Sequence, residues 1–396
     1  MEINVESGSI SVLKITIMGI DGYLGWPLAM HLSARGHEVS GVDNFSRRRN
    51  VEEIGGHSAT PIRSMRMRLK AYEKSSGKKI RFYRGDLIKT DFTEDVIAKE
   101  KPDCIVHLGE IPSAPYSMID VDHCNYTQTN NIVGTNNILF AMRKHAQKCH
   151  LLKLGTMGEY GTPNIDIPEG FFEIEYRGRK DKLPFPRQPG SWYHLSKVHD
   201  TFNIIFACKI WGLASTDIMQ GVVHGLMTDE MVNDDLLTRF DFDEVWGTAL
   251  NRFCAQSVIG HELTPYGKGG QTRGFIALRD SIECMTITAE NPPADGEYRV
   301  FNQFDETYSV NELAKHVVAV GGEFGLDAKI WSIENPRVEK EEHYYNPDHE
   351  RLPSLGFKPV YSLDAELRRT LPKLIQYRDR IEEKKGVIMP SIKWRG

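Results

Sequence analysis

The sequence predicts an α/β protein: a Rossmann-type, doubly wound parallel sheet followed by a smaller C-terminal α/β domain. Short apolar runs alternate with amphipathic stretches through the first half of the chain, and parallel strands need helical crossovers to join them. A glycine-rich turn, Gly19-Ile-Asp-Gly22-Tyr-Leu-Gly25, stands between the first apolar run and the first amphipathic one. Only small residues let a chain reverse so sharply from strand to helix.

The elements follow in order. Residues 13–18 read as a strand, 26–35 as a helix stopped by Gly36, and 38–42 as a second strand. Residues 80–83 and 104–107 are the third and fourth strands, 129–144 a long helix and 150–154 the fifth strand. A second long helix covers 193–209, and 215–219 is the sixth strand. Two insertions interrupt the pattern. Residues 44–79 are basic (Arg63, Arg66, Arg68, Lys70) and read either as a solvated helix or as the wall of a site for an anion. Residues 162–190, rich in Pro, Gly and charge, read as a loop beside the active site. The first domain is expected mainly within 12–220 and the second within 221–396, with some later segments free to rejoin the sheet.

The 396 residues are 40% hydrophobic and 26% charged, which suits a globular protein. A net charge of −5 argues against a general nucleic-acid binder. No apolar run is long enough to span a bilayer, and no signal-peptide pattern precedes the first strand. The six cysteines are scattered without a CxxC pair, so neither a metal site nor a disulfide framework is expected, and a reducing cytoplasm is.

The glycine turn has the spacing of a dinucleotide-binding loop. Gly19 permits the turn, Gly22 lets the backbone approach a pyrophosphate and Gly25 lets helix and strand pack closely; Asp21, Tyr23 and Leu24 complete the loop. Asp43 ends the second strand 18 residues beyond Gly25, where a carboxylate bonds ribose hydroxyls and repels a 2′-phosphate. NAD is therefore expected rather than NADP, although Asn44 and the arginines from Arg47 to Arg49 follow at once. Asp86 and Leu87 after the third strand, and Leu108, Gly109 and Glu110 after the fourth, are placed to border the cofactor.

Tyr193 and Lys197 are four residues apart and share a helix face. An ammonium beside a phenol favours the phenolate, which can take a hydroxyl proton as hydride leaves. Thr156 ends the fifth strand, 37 residues before Tyr193, where its hydroxyl can share that proton.

With these residues in this order, the chain resembles the extended short-chain dehydrogenase/reductase family, which includes nucleotide-sugar epimerases and 4,6-dehydratases. The run from Asn131 through Gly134 and Thr135 is similar to that family's NxxGTxN helix and implies Asn131 as a cofactor neighbour. The resemblance implies a Rossmann domain holding a tightly bound, recycled NAD, a C-terminal nucleotide-sugar domain and a homodimer or homotetramer. Dehydratases carry an acidic pair where this chain has Met157 and Gly158, so ordinary chemistry through that pair is excluded; Glu159 stands one position further on.

Longer blocks (113–120, 154–170, 191–200, 220–225, 238–254, 266–275 and 335–346) are similar to a sulfonating branch of the family. This implies UDP-glucose and sulfite as substrates. The implied course is C4 oxidation, loss of water across C5–C6, sulfite addition at C6 and re-reduction of C4. In it Tyr193 is the base, Lys197 lowers its pKa and Thr156 polarises the C4 oxygen. Glu159, His194 and Tyr193 are candidates for the elimination base; His194 either meets the C6 group or simply packs, and Met157 either shapes the C6 pocket or packs. The implied substrate contacts are Ser117, Gln220, Thr238, Arg239, Arg252, Tyr266, Gln271, Arg273, Arg279 and Arg337, the arginines because a diphosphate prefers guanidinium forks. A UDP-sugar 4-epimerase is the nearest alternative. A non-catalytic NAD-sensing regulator is another, but such a protein would not need both Tyr193 and Lys197.

Overall fold

The computed structural model describes residues 11–336 and 343–392. In chain order the strands are β1 (Lys14–Met18), β2 (Glu38–Asp43), β3 (Arg81–Arg84), β4 (Cys104–His107), β5 (His150–Thr156), β6 (Phe171–Tyr176), β7 (Arg179–Pro184), β8 (Ala214–Gln220), β9 (Val222–His224), β10 (Thr272–Ala277), β11 (Tyr298–Gln303) and β12 (Glu306–Ser309). Seven of them form the main sheet in the order β11-β8-β5-β4-β1-β2-β3. Every pairing in it is parallel, which confirms the expected Rossmann-type architecture. A smaller sheet, β12-β10-β9, is built from the second half of the chain.

Side chains of a strand alternate between faces, and here each face has its own core. Ile15 and Ile17, Cys104 and Val106, and Leu152 pack with the helix Gly25–Ala34 and the helix Leu278–Glu290. Met18, Ile105 and Leu151 pack on the other side with Val96, Ile138, Met142 and Ile204. These last four come from the helices Thr90–Glu100, Gly134–His145 and Trp192–Trp211. A further core gathers Phe240, Phe253, Val317 and Leu367 of the C-terminal half around Ala59.

The structure departs from the sequence reading in three segments. Residues 44–79 hold two helices, Ser46–Glu53 and Met65–Ser76; Arg63, Arg66 and Lys70 are exposed, as a solvated helix would have them, and Arg68 is the exception. Arg68 is fully buried, lies 4.5 Å over the Trp26 ring and is ion-paired with Asp21. The supposed loop 162–190 contains the antiparallel hairpin β6-β7. Arg177 (φ 52°) and Gly178 (φ 75°) supply the two left-handed residues that a tight hairpin needs. The long helix expected at 129–144 is preceded by the helix Val121–Gln128, capped by Asp120, and by a π-helical turn at Thr129–Val133.

His31, on the helix behind the glycine loop, bonds Glu230 (2.7 Å) and Glu283 (3.2 Å) and so ties the first half of the chain to the second. Burial pushes this imidazole down, but the two carboxylates outweigh it and raise its pKa to about 9. A pKa raised above the unfolded value of about 6.5 stabilises below that value, and the gain is lost as pH rises through 9. His31→Ala is therefore expected to lower stability by about 1–2 kcal/mol at pH 6, a figure discounted for solvent screening, and by almost nothing at pH 10. Denaturant unfolding at the two pH values checks this; an equal deficit at both would refute it.

Candidate active site

A cleft opens at the C-terminal ends of β1, β2, β3, β4 and β5 and continues between the two halves of the chain. Open parallel sheets bind ligands at this end. Gly19, Gly22, Tyr23, Leu24 and Gly25 form its floor. Gly19 has φ +93°, and a Cβ on Gly25 would lie 2.2 Å from the Gly19 carbonyl oxygen, so loop and helix touch through backbone alone. The helix Gly25–Ala34 has no side-chain cap at its start, leaving amides there for an anion.

Asp43, Asn44, Asp86 and Leu87 line one end. The Asp43 carboxylate accepts the N–H groups of Asp21 (2.8 Å) and Phe45 (2.7 Å). Burial and repulsion from Asp21 still raise it to about 6, which leaves it ionised at neutral pH. Asn44 donates to Asp86 (3.0 Å). Arg47 lies 4.0 Å over the Trp246 ring and bonds Asp241 (2.6 Å). Arg239 bonds the same carboxylate (2.8 and 3.0 Å), and its buried Nη1 has no protein partner. Two cleft guanidiniums thus share one carboxylate, a positive excess suited to phosphates.

Leu108, Gly109 and Glu110 line the middle of the cleft, and Thr156, Tyr193, Lys197 and Gln220 the far end. Gln220 donates to Gln303 (2.8 Å) and Ser281 (3.0 Å). The Tyr193 N–H donates to Ser117 Oγ (3.0 Å), so Ser117 anchors the backbone of Tyr193 from outside the lining. Lys197 donates to the Leu154 carbonyl (2.6 Å) and is ion-paired with Glu110. Burial lowers its pKa to about 8 against the pull of Asp200 and Asp217. Burial pushes Tyr193 up, Glu159 adds to this, and Lys153 and Thr156 pull it down. Lys197, one helical turn on, opens into the same cleft, where Glu110 pairs with it.

Other expectations are corrected by burial. Asp21 does not line the cleft: its carboxylate is 2% exposed and is held by Arg48 (2.6 Å) and Arg68 (3.1 Å). Asn131 faces inward, accepting Ile111 N–H (2.7 Å) and donating to Ser196 (2.9 Å), while its neighbour Asn130 lines the cleft. The π turn they occupy shifts each side chain around the helix axis relative to an α-helix. Glu159 is fully buried behind β5, bonded to Thr201 (3.0 Å) and Lys153 (3.3 Å), which removes it from the lining as an elimination base. Met157 packs with Tyr160, Ile167, Phe185 and Met219. A Cβ on Gly158 would lie 2.3 Å from His194 Nε2, so the imidazole fills the space a side chain at 158 would need. Trp246 and Thr248 also line the cleft; they lie inside the block 238–254 but were not among the implied contacts.

The pattern that defines the NAD dependent epimerase/dehydratase family matches residues 15–200. A UDP-sulfoquinovose synthase from Sulfolobus acidocaldarius is 52% identical over 384 residues, covering 97% of this chain and 98% of that protein. The chloroplastic UDP-sulfoquinovose synthase of Spinacia oleracea is 50% identical over 96% of this chain and 79% of its own length. This chain belongs to the NAD dependent epimerase/dehydratase family. Its fold is shared with the UDP-glucose 4-epimerase of Thermotoga maritima solved with UDP-glucose (TM-score 0.68, 18% identity, 91% of this chain and 98% of that one). It is shared equally with the Bifidobacterium longum 4-epimerase solved with NAD+ and UDP (TM-score 0.68, 17% identity, 95% and 99%).

Within this epimerase/dehydratase chain, several expected substrate residues lie away from the cleft lining. Thr238 bonds the Tyr23 carbonyl (2.8 Å). Arg252 is buried against Tyr266 and the Thr264 carbonyl. Arg273 donates to His343 (3.0 Å). Arg279 is ion-paired with Glu366 and lies 3.3 Å over Tyr361. Gln271 is buried, and among the described residues neither of its amide atoms has a partner. Arg337 lies outside the described residues.

Proposed function

We propose that this chain makes UDP-sulfoquinovose from UDP-glucose and sulfite, with NAD held in the cleft and returned to its starting state in each cycle. One observation carries the reading: Thr156, Tyr193 and Lys197 open into the same cleft as the glycine loop and Asp43. The half-identical synthases, matched along nearly the whole chain, support the choice of sugar chemistry.

The residues present fit NAD. The backbone of Gly19, Gly22 and Gly25, with Arg47 and the unpartnered Nη1 of Arg239, suits a pyrophosphate; Asp43 suits a ribose diol, and Asp86 and Leu87 an adenine. When bound, NAD supplies the acceptor and later the donor of the C4 hydrogen. Tyr193 takes the C4 hydroxyl proton and gives it back, and Thr156 bonds the C4 oxygen. With C4 as a ketone the C5 hydrogen is acidic; C5 gives up its proton and the C6 hydroxyl leaves with a proton as water, and sulfite then adds to the resulting alkene at C6 while C5 takes a proton back. The buried position of Glu159 leaves the C5 proton to Tyr193, which lines the cleft, or to His194, which packs beside it outside the lining with ring centroids 4.9 Å apart. The substrate contacts assigned by resemblance remain part of this proposal.

Incubation with UDP-glucose, with and without sulfite, followed by mass analysis tests the reading. A sulfonated UDP-sugar formed only with sulfite is expected. UDP-galactose without sulfite would make the chain a 4-epimerase, and no product would make it a regulator. Thr156→Ala is expected to slow NADH formation from UDP-glucose alone by about 10- to 100-fold, followed at 340 nm; an unchanged rate would remove Thr156 from the C4 oxygen.

A homodimer belongs to the same proposal. Phe202, Phe206 and Ile210 recur at helical spacing along the helix Trp192–Trp211 and are 46%, 57% and 56% exposed. Phe140, on the neighbouring helix Gly134–His145, is 57% exposed. Such a stripe suits burial against the same stripe of a second copy. No helix among the described residues is long and apolar enough to cross a membrane. The six cysteines are unpaired, which supports placing the protein in the reducing cytoplasm.

A further inference from the structure

Behind the catalytic end of β5 lies a fully buried group of charges that the proposed chemistry does not use. Lys153 stands in the strand between Leu152 and Leu154, where an apolar residue would be ordinary, and its side chain is 0% exposed. Its ammonium donates to Thr201 Oγ1 (2.8 Å), Asp217 Oδ2 (3.2 Å), Glu159 Oε1 (3.3 Å) and the main-chain carbonyl of Lys197 (3.2 Å). Lys197 answers by donating to the carbonyl of Leu154, the residue after Lys153 (2.6 Å). Each lysine thus holds the backbone of the other's element.

We infer that Lys153 is a positioning residue for Tyr193 and Lys197: it clamps the first turns of their helix to the end of β5 and keeps a fixed positive charge behind that joint. The clamp fixes the distance between Thr156, three residues further along β5, and Tyr193, four residues back along the helix, and a proton transfer depends steeply on such a distance. Tyr298 donates to the same Asp217 oxygen that Lys153 reaches, Oδ2 (2.7 Å), so the carboxylate facing Lys153 is itself held in place. Gly155 leaves room for this group: a Cβ there would lie 2.4 Å from Asp217 Oδ1 and 3.2 Å from Glu159 Oε1.

The charges around Lys153 are Glu159, Asp217 and Asp200; Arg187 shares Glu159 (3.5 Å). The charges near Tyr193 include Glu159, which disfavours the phenolate, and Lys153, which favours it; Lys197 with its partner Glu110 lies on the cleft side, and the His194 ring is tilted against the phenol. Loss of the lysine charge therefore raises the phenol pKa. The phenolate is the active form, so the acid limb of kcat moves to higher pH.

This inference rests on the proposed role of Tyr193 in UDP-glucose turnover, and its test has one readout that needs no turnover. Lys153→Met and the charge-balanced pair Lys153→Met with Asp217→Asn are compared with the wild type. Hydrogen exchange of the amides of residues 193–201 is expected to quicken at least about tenfold relative to the rest of the chain. In the same variants the acid limb of kcat is expected to move up by about one pH unit, with kcat at pH 7 down about tenfold and KM for UDP-glucose unchanged. A wild type inert to UDP-glucose overturns the functional reading, and the exchange result then decides the clamp alone. Unchanged exchange, or a folded variant with an unmoved limb, overturns the inference. So does failure of both variants to fold, which would make Lys153 a residue of the fold only.

Discussion

Tyr193→Phe is expected to lower kcat by about 10³-fold or more while the chain still retains its NAD. The ring sits in a tight place, 9% exposed, with its backbone N–H on Ser117, and phenylalanine fills the same volume, so the fold is not the target. What is lost is the oxygen that exchanges a proton with the C4 hydroxyl, a contribution of about 10²–10⁴ in rate for a positioned base. Burial already raises this phenol above its ordinary pKa, with Lys153 and Thr156 opposing. The wild-type rate is therefore expected to climb with pH, and the variant's residual rate to lack that climb. The checks are UDP-sugar turnover by mass spectrometry and NAD released on denaturation. Turnover within tenfold of wild type would dismiss Tyr193 as the base.

Gly19→Ala is expected to cut the NAD retained per chain to a tenth or less. Gly19 has φ +93°, and a Cβ there would lie 2.6 Å from the Leu108 carbonyl oxygen and 2.8 Å from the Gly109 nitrogen. Those neighbours are backbone, so the loop itself must move, and its amides leave the place where a pyrophosphate would lie. The positive φ alone costs about 1–2 kcal/mol, and Gly36 measures that part separately. At Gly36 φ is +105° but nothing lies within 4 Å of a Cβ. Gly36→Ala should therefore lose stability yet keep its NAD. Equal NAD contents in the two variants would show that the crowding at Gly19 does not matter. Thermal melts and absorbance of the released cofactor provide both numbers.

Much of this site could be read along the chain because its parts are local. A glycine loop between strand and helix, a carboxylate ending β2, a hydroxyl ending β5 and a tyrosine–lysine pair one helical turn apart all keep their meaning when only neighbouring residues are known. The parallel sheet was legible for the same reason, since its strands are short apolar runs. β6 and β7 were hidden because their residues are mostly solvated on both faces, and the pattern Glu-Ile-Glu-Tyr looks like loop composition until a partner strand is present. Asn131 was preferred over Asn130 because the NxxGTxN resemblance points to it; in the π turn that both occupy, Asn130 is the one that meets the cleft.

By itself, the order of residues determined the fold class, the glycine loop and the tyrosine–lysine pair that opens into the cleft, since backbone periodicity and turn chemistry act within a few residues. Only the tertiary structure decided where the charges go. Asp21 and Glu159 read as site residues and Arg68 as part of a basic insertion, but each of them, like Lys153, is buried against charged partners brought in by the fold. A charge removed from water must be matched at short range, and which partner comes within range is settled by packing between elements far apart in sequence.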